Sequence, residues 1–189
     1  MSTPQFHLRP AIVADLDAVL ALERATALAP HWPPSTYADI LGSTDLGATS
    51  IALGAPSIPR SLRNGWETAT QRCFFVAEKD ASLAGFAVGV LHPAASERIA
   101  ELESVVVSAN ARRAGIGRAL CRAVLDWCRA HGATELILEV RAASSAAIAL
   151  YAALGFTLTA RRTRYYRDPD DDALLMRLPL QSNGGRIDD

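Results

Sequence analysis

Apolar side chains recur at helical spacing in the first part of the chain. Residues 15–28 carry them three or four positions apart, at Leu16, Val19, Leu20 and Leu22, which predicts an amphipathic helix. A proline-rich stretch over residues 30–35 interrupts this pattern. Ser35 can cap a second, short helix over residues 36–41.

Short apolar runs bounded by turn residues predict seven β-strands. They cover residues 6–9, 73–78, 83–91, 99–107, 135–140, about 156–166 and 174–178. The run at 83–91 is apolar throughout, which is typical of a central strand. A charged turn is expected over residues 168–172, between the last two strands.

Two further helices interrupt the later strands. One is predicted from about Gly117 to Ala130, and a shorter one from Ser145 to Leu154, ended by Gly155. Strands that cluster early and helices that interrupt later indicate an α+β fold, with helices on the faces of a mixed sheet.

The pattern indicates one domain over residues 1–180, since no internal repeat or second domain is visible. Residues 43–71 have weak periodicity, so we expect a long surface excursion there. Residues 181–189 are expected to form a flexible tail.

The composition argues against several classes of protein. The chain has 189 residues, 50% of them hydrophobic and 21% charged, with a net charge of −1. This balance gives no electrostatic case for direct binding to nucleic acid or to an anionic membrane, and no apolar run reaches the ~20 residues that span a bilayer. The chain lacks a signal-peptide pattern and a disulfide framework, so we expect a cytoplasmic protein, either a monomer or a weak homodimer.

A glycine turn between a strand and a helix is the strongest chemical motif: Arg112-Arg113-Ala114-Gly115-Ile116-Gly117. Glycines let the main chain approach a ligand closely. The first N–H groups of the helix and the positive end of its dipole favour a phosphate group at the same point. Arg112, Arg113 and Arg118 add positive charge beside it. The motif therefore predicts a phosphate-binding site.

The turn does not match the common nucleotide motifs. A dinucleotide fingerprint needs a third glycine where Leu120 stands, and a P-loop needs Lys-Ser/Thr where Arg118-Ala119 stands. The plain alternative is a tight strand-to-helix turn on a basic surface.

The same residues resemble the Arg/Gln-x-x-Gly-x-Gly/Ala signature of the GNAT N-acetyltransferase superfamily. Four later segments resemble its bacterial ribosomal-protein-alanine N-acetyltransferase branch: Leu138-Glu139-Val140-Arg141-Ala142, residues 146–151, Leu154-Gly155-Phe156, and Arg161-Arg162-Thr163-Arg164-Tyr165-Tyr166. The likeness covers about residues 105–180, and residues 43–71 match nothing familiar.

The resemblance implies a seven-stranded, mostly antiparallel sheet that splays between its fourth and fifth strands and binds acetyl-coenzyme A. The backbone of Val105, Val106 and Val107 would pair with the pantetheine arm, and one of their N–H groups would polarise the thioester. Ser144 stands where the branch has an asparagine that helps to hold this region. Serine is shorter, but it can still hydrogen-bond and cap the following helix.

Two residues receive catalytic roles from the resemblance. Glu139 is the candidate general base, and Tyr151, twelve residues later, is the candidate general acid for the departing thiolate. The plain alternatives are a glutamate paired with Arg141 or another arginine, and a tyrosine that only packs on the core. Glu101 and Glu103 remain alternative bases, because the histone-type branch of the superfamily carries its base on this strand.

The predicted activity is direct transfer of acetyl from acetyl-CoA to a free amine. The most favoured acceptor is the α-amine of a protein or peptide N-terminus, with a ribosomal protein as one candidate. An α-amine titrates near ~7.7–8.0 and a lysine near ~10.4, so the α-amine loses its proton more readily. A small-molecule amine acetyltransferase and a non-catalytic acyl-CoA-binding module are the alternatives. No metal is expected, because His31, His92 and His131 have no ligand spacing.

Overall fold

The computed structural model describes residues 6–43, 70–92 and 98–180. A seven-stranded sheet forms its centre, in the order β1-β2-β3-β4-β5-β7-β6. The strands are β1 (His7–Pro10), β2 (Gln71–Lys79), β3 (Ser82–His92), β4 (Ile99–Val107), β5 (Glu135–Arg141), β6 (Thr157–Tyr166) and β7 (Asp171–Pro179). The helices are α1 (Leu16–Arg24), α2 (Pro34–Ser43), α3 (Ile116–Ala130) and α4 (Ser145–Ala152).

Among the described strands, only one neighbouring pair is parallel. Strands β4 and β5 run in the same direction, and every other pair in the sheet is antiparallel. The parallel pairing is short, because it extends only from Ile99–Glu135 to Glu101–Ile137. Beyond these residues the strands separate. The predicted α+β sheet, its seven strands and its splay between the fourth and fifth strands are all confirmed.

Helices cover both faces of the sheet. Helix α3 packs on β2, β3 and β4 through buried residues on one side of the helix: Ile116, Leu120, Cys121, Val124, Leu125 and Cys128. Helices α1 and α2 cover the opposite face, where Val19, Tyr37, Phe74 and Phe86 form a second buried cluster. None of the described helices is long and apolar enough to cross a membrane.

The first predicted helix is wrong at both ends. A short 3-10 turn over Val13–Asp15 precedes α1, and α1 stops at Arg24 instead of residue 28. The Thr26 hydroxyl donates to the Leu22 carbonyl, and a turn continues from Thr26. A threonine that bonds the preceding turn in this way competes with continued helix.

The start of α2 also differs from the prediction. The helix begins at Pro34, whose missing N–H and fixed φ suit the first helical position, so Ser35 lies inside the helix. At the other end of the proposed excursion, Gln71 already belongs to β2. Residues 44–69 and the predicted tail at 181–189 lie outside the described residues.

The predicted charged turn is shorter than expected. Strand β7 begins at Asp171, which pairs with Tyr166, so residues 171 and 172 belong to the ladder. Asp172 accepts hydrogen bonds from the Arg164 backbone and the Arg161 side chain. These bonds allow two acidic residues to continue the strand.

Helix α4 ends at Ala152, two residues before the predicted end. The predicted role of Gly155 is confirmed: it has a φ of +97°, and its N–H donates to Ala152. The left-handed conformation turns the chain into β6.

Candidate functional site

A cleft of about 1560 Å³ opens where β4 and β5 separate. Its walls are the segment Thr26–Trp32 after α1, the second half of β4, the glycine turn, α4, and the corner of β6 around Tyr165–Asp168. All of the site residues singled out in the sequence except Ala114 line this cleft. Val105, Val106, Val107, Arg112, Arg113, Gly115, Ile116, Gly117, Arg118, Glu139, Ser144 and Tyr151 do so, together with Glu101 and Glu103.

The glycine turn has the geometry of an anion site. Gly115 has a φ of +83° and lies directly before α3. The first helical hydrogen bond runs from the Ala119 N–H to the Gly115 carbonyl. The N–H groups of Ile116, Gly117 and Arg118 therefore have no carbonyl ahead of them in the helix, and they lie at the positive end of the helix dipole.

Gly117 packs closely against Leu150 of α4 and Val107 of β4. A Cβ atom there would lie 3.3 Å from the Leu150 side chain and 3.6 Å from the Val107 side chain. Any larger side chain would have to enter the cleft. Glycine at this position keeps the space beside the backbone open for a ligand.

The arginines surround the turn on its solvent side. Arg118 donates to the Ala153 carbonyl at 3.2 Å, and Arg112 lies 3.5 Å from the Val107 carbonyl. Arg113 has a φ of +63° and lines the cleft beside Arg112. Ala114, between Arg113 and Gly115, is exposed. This positive edge fits a ligand with phosphate groups.

The open edge of β4 faces the gap between the strands. The Ser108 N–H donates to the carbonyl of Ala84, near the start of β3. Since successive residues of a strand direct their N–H groups to opposite sides, Val107 and Val105 direct theirs away from β3, toward β5. The parallel pairing has ended before this point, so both groups can bind an extended ligand.

Glu139 lies on the face of β5 opposite the apolar row. Leu136, Leu138 and Val140 face α3, and the Glu139 side chain is 10% exposed on the other face. Its Oε1 accepts a hydrogen bond from Arg162 Nη1 at 2.6 Å, while its buried Oε2 has no hydrogen-bond partner among the described residues. Burial raises the pKa of Glu139, and Arg162 and Tyr165 act in the opposite direction.

Tyr151 lies on α4 beside the glycine turn. Its ring packs edge-on against Phe156, with 5.8 Å between the ring centroids. Burial raises the pKa of the Tyr151 phenol well above its ordinary value. The hydroxyl carries its proton at neutral pH, as a phenol does at its ordinary pKa of ~10.

Ser144 precedes α4 but does not cap it through its side chain. Its backbone carbonyl accepts from the Ala147 and Ile148 N–H groups. The expected capping bond is therefore wrong, and the serine hydroxyl is left for other contacts in the cleft.

The two glutamates of β4 differ in their partners. Glu103 is held by Arg72 through two hydrogen bonds, of 3.0 and 3.2 Å, and its side chain is only 1% exposed. Burial raises the pKa of Glu103 although Arg72 opposes this effect. The Glu101 Oε2 lies 3.8 Å from His92 Nε2. Glu101 also shares a separate cavity of about 160 Å³ with Glu139.

A model described as the acetyltransferase (GNAT) family matches residues 48–156. The chain belongs to this GNAT family. The [ribosomal protein bS18]-alanine N-acetyltransferase of Escherichia coli K12 is 42% identical to this GNAT chain over 83 residues. That alignment covers 43% of the chain and 56% of the relative, so the match spans little more than half of that protein. Streptothricin acetyltransferase of Streptomyces lavendulae is 34% identical over 116 residues, 60% of each protein.

The solved structures show the same fold over nearly the whole GNAT chain. The crystal structure of the ribosomal-protein-S18-alanine N-acetyltransferase from Escherichia coli has a TM-score of 0.67 and 26% identity. It covers 97% of this chain and 99% of that one. The NatC complex bound to Gag peptide and CoA has a TM-score of 0.72 at 20% identity, covering 94% and 99%. The predicted family is thus confirmed.

Sequence reasoning on this GNAT chain missed two ion pairs, each of which has one member that lines the cleft, Glu139 or His31. Arg162 appeared only as part of a matching segment, with no role, although the alternative of an arginine partner for Glu139 had been considered. Glu23 was not singled out, yet it is buried, and its Oε2 lies 3.3 Å from His31 Nδ1. Neither pairing has a local sequence signal, because the partners are 23 and eight residues apart.

Proposed function

We propose that the chain is an acetyl-CoA-dependent N-acetyltransferase that acts on a free amine, most favourably the α-amine of a protein or peptide N-terminus. The observation that carries this proposal is one cleft that joins an anion-binding glycine turn to a buried carboxylate, Glu139, and a buried phenol, Tyr151. A site with only a phosphate-binding turn would not need either proton-transfer group.

Acetyl-CoA fits the first half of the cleft. Its pyrophosphate would lie on the N–H groups of Ile116, Gly117 and Arg118, with the charge of Arg112 and Arg113 beside it. The pantetheine arm, which carries amide groups, would run along the open edge of β4 at Val105–Val107. An N–H group of this edge would then donate to the thioester carbonyl as negative charge develops on its oxygen.

Acetyl transfer moves two protons. The acceptor nitrogen attacks the thioester carbonyl carbon, and Glu139 takes the proton that the nitrogen loses. The carbon–sulfur bond then breaks, and Tyr151 gives its proton to the departing thiolate. Burial raises the pKa of the Glu139 carboxyl, which makes it a stronger base. Burial also raises the pKa of the Tyr151 phenol, which makes it a weaker acid, so its proposed role depends on its position beside the thiolate.

The other half of the cleft would hold the acceptor. Its walls come from residues 26–32 and 165–168, and Trp32, Tyr165 and Tyr166 offer aromatic surface there. A terminal α-amine needs less help to lose its proton than a lysine amine does, by about 3 pKa units. The relative that acts on the alanine of a ribosomal protein supports the same choice.

A small-molecule amine is the second candidate acceptor. The streptothricin acetyltransferase matches over more of this chain than the ribosomal-protein enzyme does, 60% against 43%. A ribosomal protein as the acceptor, a cytoplasmic place of action and a monomeric or weakly dimeric state remain predictions.

Acceptor profiling tests the proposal. Peptides with a free N-terminal Ala or Ser, N-blocked lysine peptides and small amines, streptothricin among them, would be compared by thiol release from acetyl-CoA. We expect the free N-terminal peptides to give the highest kcat/KM. Transfer only to blocked lysine peptides or only to small amines would reject the N-terminal acceptor, and no transfer with intact acetyl-CoA binding would favour a binding module.

A further inference from the structure

The carboxylate at the centre of the cleft has a fixed partner on a distant strand. Glu139 lies on β5 and Arg162 on β6, with β7 between them. Their contact, Arg162 Nη1 to Glu139 Oε1 at 2.6 Å, therefore crosses a whole strand. In the register, Arg162 pairs with Ala173 of β7, whereas Glu139 pairs with Leu175, two residues further along the same strand. The contact therefore runs diagonally across β7, and the small side chain of Ala173 leaves room for the guanidinium to start across the strand.

Arg162 is also held from its other side. Its guanidinium carbon lies 5.4 Å from the centre of the Tyr165 ring, within the range of a cation–π contact. The Arg162 side chain is 32% exposed, whereas the Glu139 side chain is 10% exposed. A guanidinium that contacts both the carboxylate and the Tyr165 ring restricts the orientation of the buried carboxylate.

The contact with Arg162 makes the two carboxylate oxygens of Glu139 inequivalent. Oε1 is engaged by Arg162, and Oε2 is buried without a hydrogen-bond partner among the described residues. An ionised carboxylate oxygen accepts hydrogen bonds and protons. Glu139 lines both the cleft and the smaller cavity beside Glu101, and Oε2 is the oxygen of its carboxylate that Arg162 leaves free.

We propose that Arg162 is a positioning residue for the proton-accepting carboxylate: it holds Oε1 of Glu139, so that Oε2 takes the proton of the acceptor amine. This inference rests on the proposed role of Glu139 as the base. Arg162 itself touches neither substrate in this assignment and acts through Glu139.

Other charged or titratable groups line the two cavities beside Glu139, from β4 to β7, the glycine turn, α4 and the opposite wall: Glu101, Glu103, Glu135, Arg112, Arg113, Arg118, Arg141, Tyr151, Tyr165, Tyr166, Arg167, Asp168, Arg177 and His31. The arginines of β5 and β7 are engaged elsewhere. Arg141 lies 4.2 Å over the Tyr166 ring and donates to the Pro169 carbonyl, and Arg177 pairs with Glu135. Within the described part of the chain, Arg162 is therefore the cation that opposes the burial of Glu139.

The sign of the electrostatic effect follows from these contacts. Burial raises the pKa of Glu139 and the positive charge of Arg162 lowers it. Removing that charge raises the pKa further, so a higher pH is needed before the base is ionised. The acidic limb of the kcat/KM profile should then move to higher pH.

The strand supplies a matched control. Arg161 is the neighbour of Arg162 on β6, but its side chain is 61% exposed and it pairs with Asp172 instead. Arg161→Gln removes the same charge from the same strand without touching Glu139. Arg162→Lys keeps the charge of Arg162 and loses only the planar group.

The experiment compares Arg162→Gln, Arg162→Lys, Arg161→Gln and Glu139→Gln in the full chain. We expect Arg162→Gln to move the acidic limb up by about 1 pH unit, the low end of the effect of an adjacent opposite charge. Its kcat should fall while the KM for acetyl-CoA stays the same. In Arg162→Lys the acidic limb should lie between those of Arg162→Gln and the wild type. In Arg161→Gln it should lie at the wild-type pH.

A second measurement does not depend on turnover. The carboxyl carbon of Glu139 can be followed by ¹³C NMR and assigned by its loss in Glu139→Gln. Its titration midpoint should rise in Arg162→Gln and stay unchanged in Arg161→Gln.

Two results separate the failure of this inference from the failure of the proposed function. An unmoved Glu139 titration and an unmoved acidic limb in Arg162→Gln overturn the positioning role, while Glu139 remains the base if Glu139→Gln is inactive. Wild-type turnover in Glu139→Gln overturns the base assignment, and the positioning role with it.

Discussion

Glu101 and Ile137 form the last register pair between β4 and β5. Beyond this pair the strands diverge, and the cleft that carries the glycine turn, Glu139 and Tyr151 occupies the gap. The position of one strand pair thus decides how deep into the sheet a ligand can reach. The predictions below test the parts of this cleft one by one.

The space beside Gly117 should be needed for acetyl-CoA. Gly117→Trp would fill the turn, because even a Cβ at this position lies 3.3 Å from Leu150. We expect the affinity for acetyl-CoA, measured by isothermal titration calorimetry, to fall more than about 100-fold, or ~2.7 kcal/mol. Gly42→Trp is the control, since a Cβ at Gly42 has no neighbour within 4 Å. Unchanged affinity in a folded Gly117→Trp would contradict the phosphate assignment.

The hydroxyl of Tyr151 should matter for turnover and not for cofactor binding. Tyr151→Phe keeps the ring that packs on Phe156 and removes the proton donor. We expect kcat to fall about 100-fold, the lower range for general acid catalysis, with the acetyl-CoA affinity unchanged. Tyr37→Phe, which removes another buried hydroxyl, controls for a loss of packing. Full turnover in Tyr151→Phe would mean that another group protonates the thiolate.

Glu139 should outweigh Glu101 as the base, although both line the same two cavities. We expect Glu139→Gln to lower kcat/KM by about 100-fold or more and Glu101→Gln to have a smaller effect. Thiol release at saturating acetyl-CoA measures both. If Glu101→Gln proves the more damaging change, the base lies on β4, as in the histone-type branch of the superfamily.

The ion pair between Arg72 and Glu103 should be structural. Arg72→Met leaves Glu103 buried without its cation, which costs about 3 kcal/mol in comparable buried pairs. Burial already raises the pKa of Glu103 above its ordinary value, and the loss of Arg72 raises it further. The folded state then holds a proton that the unfolded state releases, so stability falls as the pH rises from the unfolded pKa to the folded one.

Urea unfolding at pH 5 and pH 8 measures this effect. The loss of unfolding free energy in Arg72→Met should be larger at pH 8. Arg129→Met removes an exposed partner of Asp126 and should cost less than about 1 kcal/mol at both pH values. Equal losses at the two pH values would show that Glu103 is not ionised in the wild-type fold.

Much of the fold follows from local pattern. Strand β4 begins and ends where its apolar run predicts, at Ile99 and Val107. Local pattern fails where side chains compete with the backbone, as at Thr26 after α1. It also fails where distant partners extend an element, as the arginines of β6 do for Asp172. The first is a local contact that the apolar spacing does not record, and the second is a tertiary contact outside the window of neighbouring residues.

The sequence by itself determined the family, the order of strands and helices, and the residues around the glycine turn. These depend on spacing along the chain, and backbone geometry converts spacing directly into a turn, a helix start or a strand face. Tertiary structure alone decided which charges meet. Arg162 contacts Glu139 across β7, Arg72 pairs with Glu103, and His31 lies beside Glu23. The energy of such a pair depends on the distance between the charges in space and on their burial. Neither quantity can be read from the separation of the residues along the chain.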